Sequence, residues 1–299
     1  MRIAFVGLGA MGVPMAVNLF KAGHAVTGFD VRAGAADALV AAGGKSAASA
    51  AEAARNAELL WLMVVSGEQA ESVLFDAGAA AALPKGAVVV AACTQAPALA
   101  KKTAARLEEM GLVMLDAPVS GGVAGANAAA LTIMASGAEA TLARARPVLE
   151  AVGKRIFDVG REAGMGSTAK MINQLLCGVH IAAAAEAMHV AERAGVDQQT
   201  MHDIISVSAG NSWMWGDRGP RMMMDEPPVT SAVDIFVKDL GIVLGQGTQM
   251  RQGLPLAAAA MQMFLAASGL GHGAADDSQV IRAYRALNGA GAAPAGSKP

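Results

Sequence analysis

The sequence has little cysteine, few aromatic residues and little charge. Its two cysteines among 299 residues, Cys93 and Cys177, stand in apolar surroundings, so we predict no disulfide framework and a reducing compartment, the cytoplasm. The five histidines lack the spacing of metal ligands, and we predict no metal site. With 4% aromatic residues, a net charge of −2 and no basic stripe, we expect no nucleic acid as a partner.

Apolar residues make up 54% of the chain and charged residues only 16%, which predicts a large buried surface. The length suits two domains. The apolar second half predicts a homo-oligomer, a dimer or a tetramer, because monomers rarely expose large apolar patches. The uncharged stretch 253–275 contains Pro255 and Gln262, so we interpret it as a buried helix plus a loop and expect no membrane partner.

Short apolar runs alternate with helical patterns over the first half of the chain. The predicted strands lie at 2–6, 25–29, 58–65, 87–92, 112–116, 130–135 and 154–158. The predicted helices lie at 10–22, 33–42, 49–55, 68–76 and 96–110, with a further helix between the last two strands. This alternation is typical of βαβ units, so we predict an α/β fold with a doubly wound parallel sheet.

Strand patterns end near Gly160, and only helical patterns follow. Ser167 and Thr168 are predicted to cap a helix that runs to about Ala194 and ends at Gly195. Further predicted helices lie at 198–208, 231–250, 255–268 and 276–287. The predicted organisation is therefore a sheet domain, an all-helical domain and a disordered tail, over 1–163, 164–288 and 289–299.

A glycine-rich motif joins the first predicted strand to the first helix. Its residues are Gly7, Leu8, Gly9, Ala10, Met11 and Gly12. Glycines at these positions allow a tight turn and the close approach of a pyrophosphate, which the helix N-terminus favours. Asp30 ends the next strand, 18 residues past Gly12, and can accept hydrogen bonds from both ribose hydroxyls. The motif therefore predicts a Rossmann-type domain that binds NAD, and Arg32 leaves NADP possible.

A second glycine-containing segment, Asp116–Gly122, follows the predicted strand 112–116. Gly121 and Gly122 expose backbone N–H groups, and Ser120 adds a hydroxyl. Together they form a neutral cradle that suits a carboxylate at the carboxyl edge of the sheet. An ordinary loop would explain the same pattern equally well.

A third segment places polar side chains on an otherwise apolar helix. Four side chains at positions i, i+3, i+4 and i+7 share one face: Lys170, Asn173, Gln174 and Cys177. A desolvated lysine can have a lowered pKa and can act as a general acid or base. From the residues alone, a surface lysine whose stem lies along apolar surface is the favoured alternative.

The motifs together resemble those of the β-hydroxyacid dehydrogenase family, which includes 3-hydroxyisobutyrate dehydrogenase. The matching segments are GLGAMGVPMAVNLFKAGH, DAPVSGG with the following LTIM, GSTAKMINQ and VKDLGIVL. They occur in the family's order over nearly the whole chain. The resemblance implies a Rossmann domain joined by a long helix to an all-helical domain, with the active site in the cleft between them.

The resemblance also implies roles for single residues. Lys170 corresponds to the family's catalytic lysine, and Asn173 corresponds to the amide beside it that orients the substrate. The substrate-carboxylate loop corresponds to Ser120, Gly121 and Gly122. Thr94 corresponds to a threonine near the nicotinamide ribose. Lys238 corresponds to the lysine of the cofactor-side KDL motif, although from the residues alone Lys238 and Asp239 form a helix-surface charge pair.

Two positions depart from the family's pattern. Gln174 stands where many relatives carry a second asparagine, and it remains a candidate substrate-binding residue. Ala129-Ala130 stands where relatives usually have Gly-Thr. These changes concern the substrate fit and leave the implied class of reaction unchanged.

The implied reaction is the oxidation of a small hydroxy acid by hydride transfer to NAD or NADP. Residues 209–214 and 231–236 resemble the L-threonate dehydrogenases, a branch of the family, which implies a four-carbon polyhydroxy acid. Gln174, Asn211 and Ser212 are candidates to bind its hydroxyls, with helix capping as the alternative. Other activities remain open: a 3-hydroxyisobutyrate dehydrogenase, a tartronate or succinic semialdehyde reductase, an imine reductase, or a catalytically silent dinucleotide sensor.

Overall fold

The computed structural model of the chain describes residues 1–288, which form two compact units. The first unit spans Met1–Met171, and the second begins at Ile172. The domain limits inferred from the sequence, 1–163 and 164–288, stay a prediction. The predicted disordered tail, 289–299, lies outside the described residues.

The first unit contains a mixed sheet in which parallel pairs predominate. The strands are β1 Arg2–Val6, β2 Ala25–Phe29, β3 Lys45–Ser46, β4 Leu59–Leu62, β5 Val88–Ala91, β6 Val113–Asp116, β7 Val119–Ser120, β8 Leu131–Ser136 and β9 Gly153–Gly160. Their order is β3-β2-β1-β4-β5-β6-β8-β7, and β9 pairs with β8. β1 to β6 are parallel, whereas β8 is antiparallel to β6 and β7. The carboxyl ends of β1, β2, β5 and β6 therefore share one edge of the sheet.

Helices in the first unit connect these strands and cover the sheet. They are α1 Gly12–Lys21, α2 Asp37–Ala41, α3 Ala50–Ala54, α4 Gly67–Glu71, α5 Ala79–Ala82, α6 Pro97–Glu109, α7 Gly122–Asn127 and α8 Glu139–Glu150. A π-helical stretch, Ser72–Asp76, continues α4. Alternate side chains of β1 fill two separate apolar cores, Phe5 in one and Val6 in the other. Because both faces are buried, the strands have the continuous apolar sequences that predicted a doubly wound sheet.

Helices predominate among the described residues of the second unit, and one isolated β-bridge joins Ala232 and Asp276. Its helices are α9 Met165–Ala194, which begins in the first unit, α10 Gln198–Ser206, α11 Trp213–Met222, α12 Val233–Met250, α13 Pro255–Ala267 and α14 Ile281–Leu287. Phe236 of α12 and Phe264 of α13 stack with ring centroids 5.1 Å apart. Arg218 donates to both carboxylate oxygens of the buried Asp277, at 2.7 and 2.8 Å. Aromatic packing thus joins α12 to α13, and a bidentate ion pair joins α11 to the 3-10 helix Asp277–Val280.

One long helix, α9, has the length and apolar composition of a membrane-spanning helix. Core helices of soluble proteins can show the same two properties, and 44% of the most apolar window of α9 is buried inside the protein. Its predicted end is confirmed: Ala194 is the last helical residue, and Gly195 follows with φ of +73°.

Two local predictions were wrong, and four elements, β3, α5, α7 and α11, were not predicted. α9 begins at Met165, so Ser167 and Thr168 lie inside its first turn and do not cap it. The predicted loop after β6 contains the short strand β7, because Val119 and Ser120 pair with β8. α11 was not predicted at all, since Gly216, Gly219 and Pro220 weaken its helical pattern.

Candidate active site

The glycine-rich segment between β1 and α1 forms a tight turn at the carboxyl edge of the sheet. A Cβ atom on Gly12 would lie 1.8 Å from the carbonyl oxygen of Gly7, so only glycine fits there. A Cβ atom on Gly9 would meet only the Nη2 atom of Arg32, at 3.9 Å. The turn is therefore closed on the Gly12 side and open at Gly9, as the approach of a diphosphate requires.

The N-terminus of α1 is electropositive, and no side chain caps it among the described residues. The residue before the helix, Met11, makes no capping hydrogen bond among the described residues. Exposed backbone N–H groups at a helix N-terminus bind anions, helped by the helix dipole. The segment Gly7–Gly12, with Leu8, Ala10 and Met11 between its glycines, therefore fits the diphosphate of a dinucleotide.

Asp30, directly after β2, forms a compact polar cluster with this turn. Its carboxylate accepts hydrogen bonds from Leu8 N at 2.8 Å and from the N and Nε atoms of Arg32 at 2.9 and 3.0 Å. Arg32 Nη2 also donates to the Leu8 carbonyl at 3.0 Å. Partial burial favours the neutral acid, but the hydrogen bonds from Arg32 and Leu8 outweigh it and lower the pKa of Asp30. A carboxylate thus stands where the ribose of a dinucleotide lies in this class of fold.

Two further predicted residues lie at or near the ends of strands in the first unit. Thr94 is half-buried in the loop between β5 and α6. Ser120 ends β7, and Gly121 and Gly122 lead from it into α7. The Asn18 side chain of α1 donates to the Ala126 carbonyl of α7 at 2.8 Å, so the helices that follow the two glycine-containing segments are in contact.

Lys170 lies in the second turn of α9 and is only 8% exposed. This burial disagrees with the surface-lysine alternative, because the side chain of a snorkelling lysine reaches water. The start of α9 is joined to the sheet through Asp116, the last residue of β6. The Asp116 carboxylate accepts hydrogen bonds from Gly164 N and Ser167 N, both at 2.8 Å, and from Ser167 Oγ at 2.7 Å. Burial raises the pKa of the Asp116 carboxyl, although these hydrogen bonds favour the charged form.

A second cluster lies within the second unit and contains both predicted amides. The Gln174 side chain donates to Asp239 Oδ2 at 2.5 Å, and Lys238 Nζ lies 2.5 Å from Asp239 Oδ1. Asn173 Nδ2 donates to Gln174 Oε1 at 2.9 Å and to Cys177 Sγ at 3.3 Å. Asp239 is 2% exposed, so Lys238 and Asp239 are not the surface charge pair that the residues alone suggested.

Two other polar side chains in the second unit have structural roles. Ser212 caps α11, since its hydroxyl accepts a hydrogen bond from Trp215 N at 3.0 Å. Asn211 is exposed, and its amide donates to the Ser206 carbonyl at 2.8 Å. The helix-capping alternative therefore describes Ser212, and local backbone bonding accounts for Asn211.

Comparisons with known proteins identify the family. The NAD binding domain of 6-phosphogluconate dehydrogenase matches residues 2–160, and the NAD-binding domain of NADP-dependent 3-hydroxyisobutyrate dehydrogenase matches residues 164–284. An L-threonate dehydrogenase of Cupriavidus necator is 46% identical over 284 residues, which cover 95% of this chain and 96% of the relative. The chain belongs to the β-hydroxyacid dehydrogenase family.

Other members of the family support this assignment. An L-threonate dehydrogenase of Escherichia coli K12 is 42% identical over 293 residues, 97% of each chain. The crystal structure of a 3-hydroxyisobutyrate dehydrogenase from Salmonella typhimurium matches with a TM-score of 0.90 and 44% identity, covering 94% of this chain and 98% of that one. The chain is thus an NAD(P)-dependent dehydrogenase that acts on the hydroxyl group of a small hydroxy acid.

Two residues whose carboxylates join separate elements were not predicted from the sequence to do so: Asp116 and Asp239. A signal for Asp239 was present, since it shares the apolar face of α12 with Phe236, Leu240 and Val243, all buried. Asp116 was recognised as part of a motif, but its partners come from residues 164–167, far along the chain. Only the three-dimensional structure brings these groups together.

Proposed function

We propose that the protein oxidises L-threonate at C2 to the corresponding 2-keto acid, 2-oxo-tetronate, in the cytoplasm, with Lys170 as the catalytic base. The observation that carries this proposal is the burial of Lys170 at the start of α9. A lysine removed from water can lose its proton near neutral pH, as a general base must. The choice of substrate is supported by the similarity to L-threonate dehydrogenases over nearly the whole chain.

The proposed dinucleotide contacts come from the residues that the family resemblance assigns to this role. Gly7–Gly12 would hold the diphosphate, Asp30 the adenine-side ribose and Thr94 the nicotinamide ribose, and Lys238 would contribute a cationic contact. When bound, NAD supplies the hydride acceptor for the reaction. Lys170 is only 8% exposed, and low exposure to water strengthens electrostatic interactions at such a position.

The substrate would be oriented by hydrogen bonds at its carboxylate and its hydroxyl. Ser120 Oγ and the N–H groups of Gly121 and Gly122 would bind the carboxylate, because they are neutral donors directed at one anionic group. Lys170 Nζ would take the proton from the C2 hydroxyl as the C2 hydride leaves, so that the alcohol loses one hydride and one proton. Asn173 would hold the hydroxyl and Lys170 in register, and Gln174 holds Asn173.

A substrate panel tests the proposal. We expect kcat/KM for L-threonate to exceed that for D-glycerate and for 3-hydroxyisobutyrate when NAD is saturating. The specific alternative is 3-hydroxyisobutyrate, the substrate named for the similar Salmonella typhimurium structure. If 3-hydroxyisobutyrate is preferred tenfold or more, about 1.4 kcal/mol of transition-state free energy, the threonate assignment is wrong and only the family's reaction remains.

We also propose a homo-oligomer, a dimer or a tetramer. Three apolar side chains on the second-unit part of α9 are about half exposed in the isolated chain: Ile172 at 54%, Leu176 at 50% and Val190 at 59%. Their spacing of 4 and 14 residues places them on one face of the helix. An apolar face of this kind is typical of a protein–protein contact. Light scattering coupled to size exclusion would measure the molar mass, and a monomer would contradict the proposal.

A further inference from the structure

The start of α9 fits closely against the ends of two strands in the first unit. A Cβ atom on Gly166 would lie 2.4 Å from the Asp116 carbonyl oxygen and 2.5 Å from the Met134 carbonyl oxygen. Real Cβ atoms do not approach backbone atoms so closely, so any larger residue would push the helix away from β6 and β8. The backbone of this first turn therefore has no room to move toward the sheet.

Side chains of the sheet accept hydrogen bonds from this turn. Asp116 Oδ2 accepts from Gly164 N and Ser167 N, and Ser136 Oγ accepts from Gly166 N at 2.8 Å. Asp116 Oδ1 accepts from the Ser167 hydroxyl. Three of the N–H groups that a helix N-terminus leaves without helical partners are thus bound by two buried side chains.

We propose that Asp116 is a positioning residue for the reaction: its buried carboxylate anchors the first turn of α9 and thereby sets the place and the protonation of Lys170. Lys170 follows Ser167 by three residues, less than one turn of helix. The inference rests on the proposed function of Lys170. A shift of the anchored turn would displace the lysine from a hydroxyl that it must reach within hydrogen-bond distance.

The charge of Asp116, like its hydrogen bonds, should affect Lys170. The positive end of a helix disfavours an ammonium group near it, and a carboxylate at that end reduces the effect. Other charged groups near this turn, Lys101 and Glu162, lie 4.0 Å apart, and their side chains are 57% and 81% exposed, so water screens them. Asp116 is the buried carboxylate at this helix end, so its removal should alter the proton affinity of Lys170.

The test compares two substitutions of Asp116 with a matched control. Asp116→Ala removes every hydrogen bond of the carboxylate. Asp116→Asn keeps an oxygen that can accept from the two N–H groups but removes the charge. Asp197→Ala is the control, because Asp197 also caps a helix, α10, through Thr200 N at 2.7 Å, and belongs to no proposed site. For each variant we would measure kcat and KM against pH, the Kd of NADH by fluorescence, and Tm.

We expect Asp116→Ala to lower kcat by about 10- to 100-fold, with the Kd of NADH within about twofold of wild type. Asp116→Asn should recover most of kcat, and the pKa of the catalytic base in its pH profile should fall by about half a unit or more, because a negative charge is lost. Asp197→Ala should change Tm only. A wild-type kcat and pH profile in Asp116→Ala would overturn the inference.

Two further comparisons keep the outcome clear. If Asp116→Ala does not fold, Asp116→Asn and Ser167→Ala decide: an unchanged kcat and an unchanged pH profile in both would overturn the inference. If Lys170→Ala retains wild-type turnover, the proposed function of Lys170 fails, whatever Asp116 does. If Lys170→Ala is inactive while the Asp116 variants behave as wild type, only the positioning role of Asp116 fails.

Discussion

The side-chain amide of Gln174 donates to the buried carboxylate of Asp239 at 2.5 Å, which ties α9 to α12 inside the second unit. Gln174 also accepts a hydrogen bond from Asn173, so the orientation of Asn173 depends on a carboxylate that is 65 residues from Gln174 in sequence. A buried network of this kind is stable only while each member keeps its partners.

Removing Asp239 should therefore weaken both stability and turnover. Asp239→Ala leaves the Gln174 amide and the Lys238 ammonium without their shared acceptor, which should cost about 1–3 kcal/mol of unfolding free energy. Urea unfolding measures the cost. Gln249→Ala, an exposed position on the same helix, should change it by less than about 0.5 kcal/mol. Equal stabilities for the two variants would show that the network contributes nothing.

Lys170→Ala should abolish turnover while dinucleotide binding persists. Loss of a general acid or base costs about 10²–10⁴-fold in rate, and Lys170 has no part in the proposed dinucleotide contacts. Stopped-flow turnover and NADH fluorescence titration separate the two effects. Lys102→Ala, whose side chain is 70% exposed, serves as the control and should retain wild-type kcat. Near wild-type turnover in Lys170→Ala would make this lysine structural.

The protein should prefer NAD to NADP. The Asp30 carboxylate, whose pKa is lowered, stays ionised at neutral pH and should repel a 2′-phosphate, while Arg32 is held by Asp30. The measurement is the ratio of kcat/KM for the two dinucleotides. Asp30→Ala should reduce that ratio, whereas Asp37→Ala, an exposed aspartate outside the turn, should not. Equal kcat/KM values in the wild-type protein would refute the preference.

Acid should destabilise the second unit through Asp276. Burial favours the neutral acid there, but hydrogen bonds from Thr230 and Ser278 and the charge of Arg221 lower the pKa of the Asp276 carboxyl. Because the folded pKa lies below its usual value of 3.8, Asp276 stabilises the protein above that pH, and the contribution is lost as the pH falls through the folded pKa. Tm measured against pH should fall less steeply in Asp276→Asn than in wild type between pH 5 and 2, and parallel curves would contradict the assignment.

Local patterns predicted the fold of the first unit well and its polar contacts poorly. The GxGxxG turn and Asp30 were predicted because they lie one βα unit apart and follow the strand ends directly. The anchoring of α9 by Asp116 was not predicted, since its partner Ser167 is 51 residues away and no short-range pattern encodes that contact. The cap expected from the hydroxyls of Ser167 and Thr168 was wrong for the same reason: the distant Asp116 carboxylate accepts from the N–H groups of this turn.

That distance also has a consequence for how the protein folds. Contacts between residues far apart in sequence form late, because the intervening chain must first be ordered. The hydrogen bonds between Asp116 and Ser167 can form only once the chain between them, which contains β7, β8 and β9, has been ordered. A nascent chain that has emerged only as far as Met134 thus contains every strand from β1 to β7 but no α9 to anchor. The anchoring of the α9 segment that carries Lys170 would then be a late event in the folding of the first unit, after its glycine-rich turn has formed.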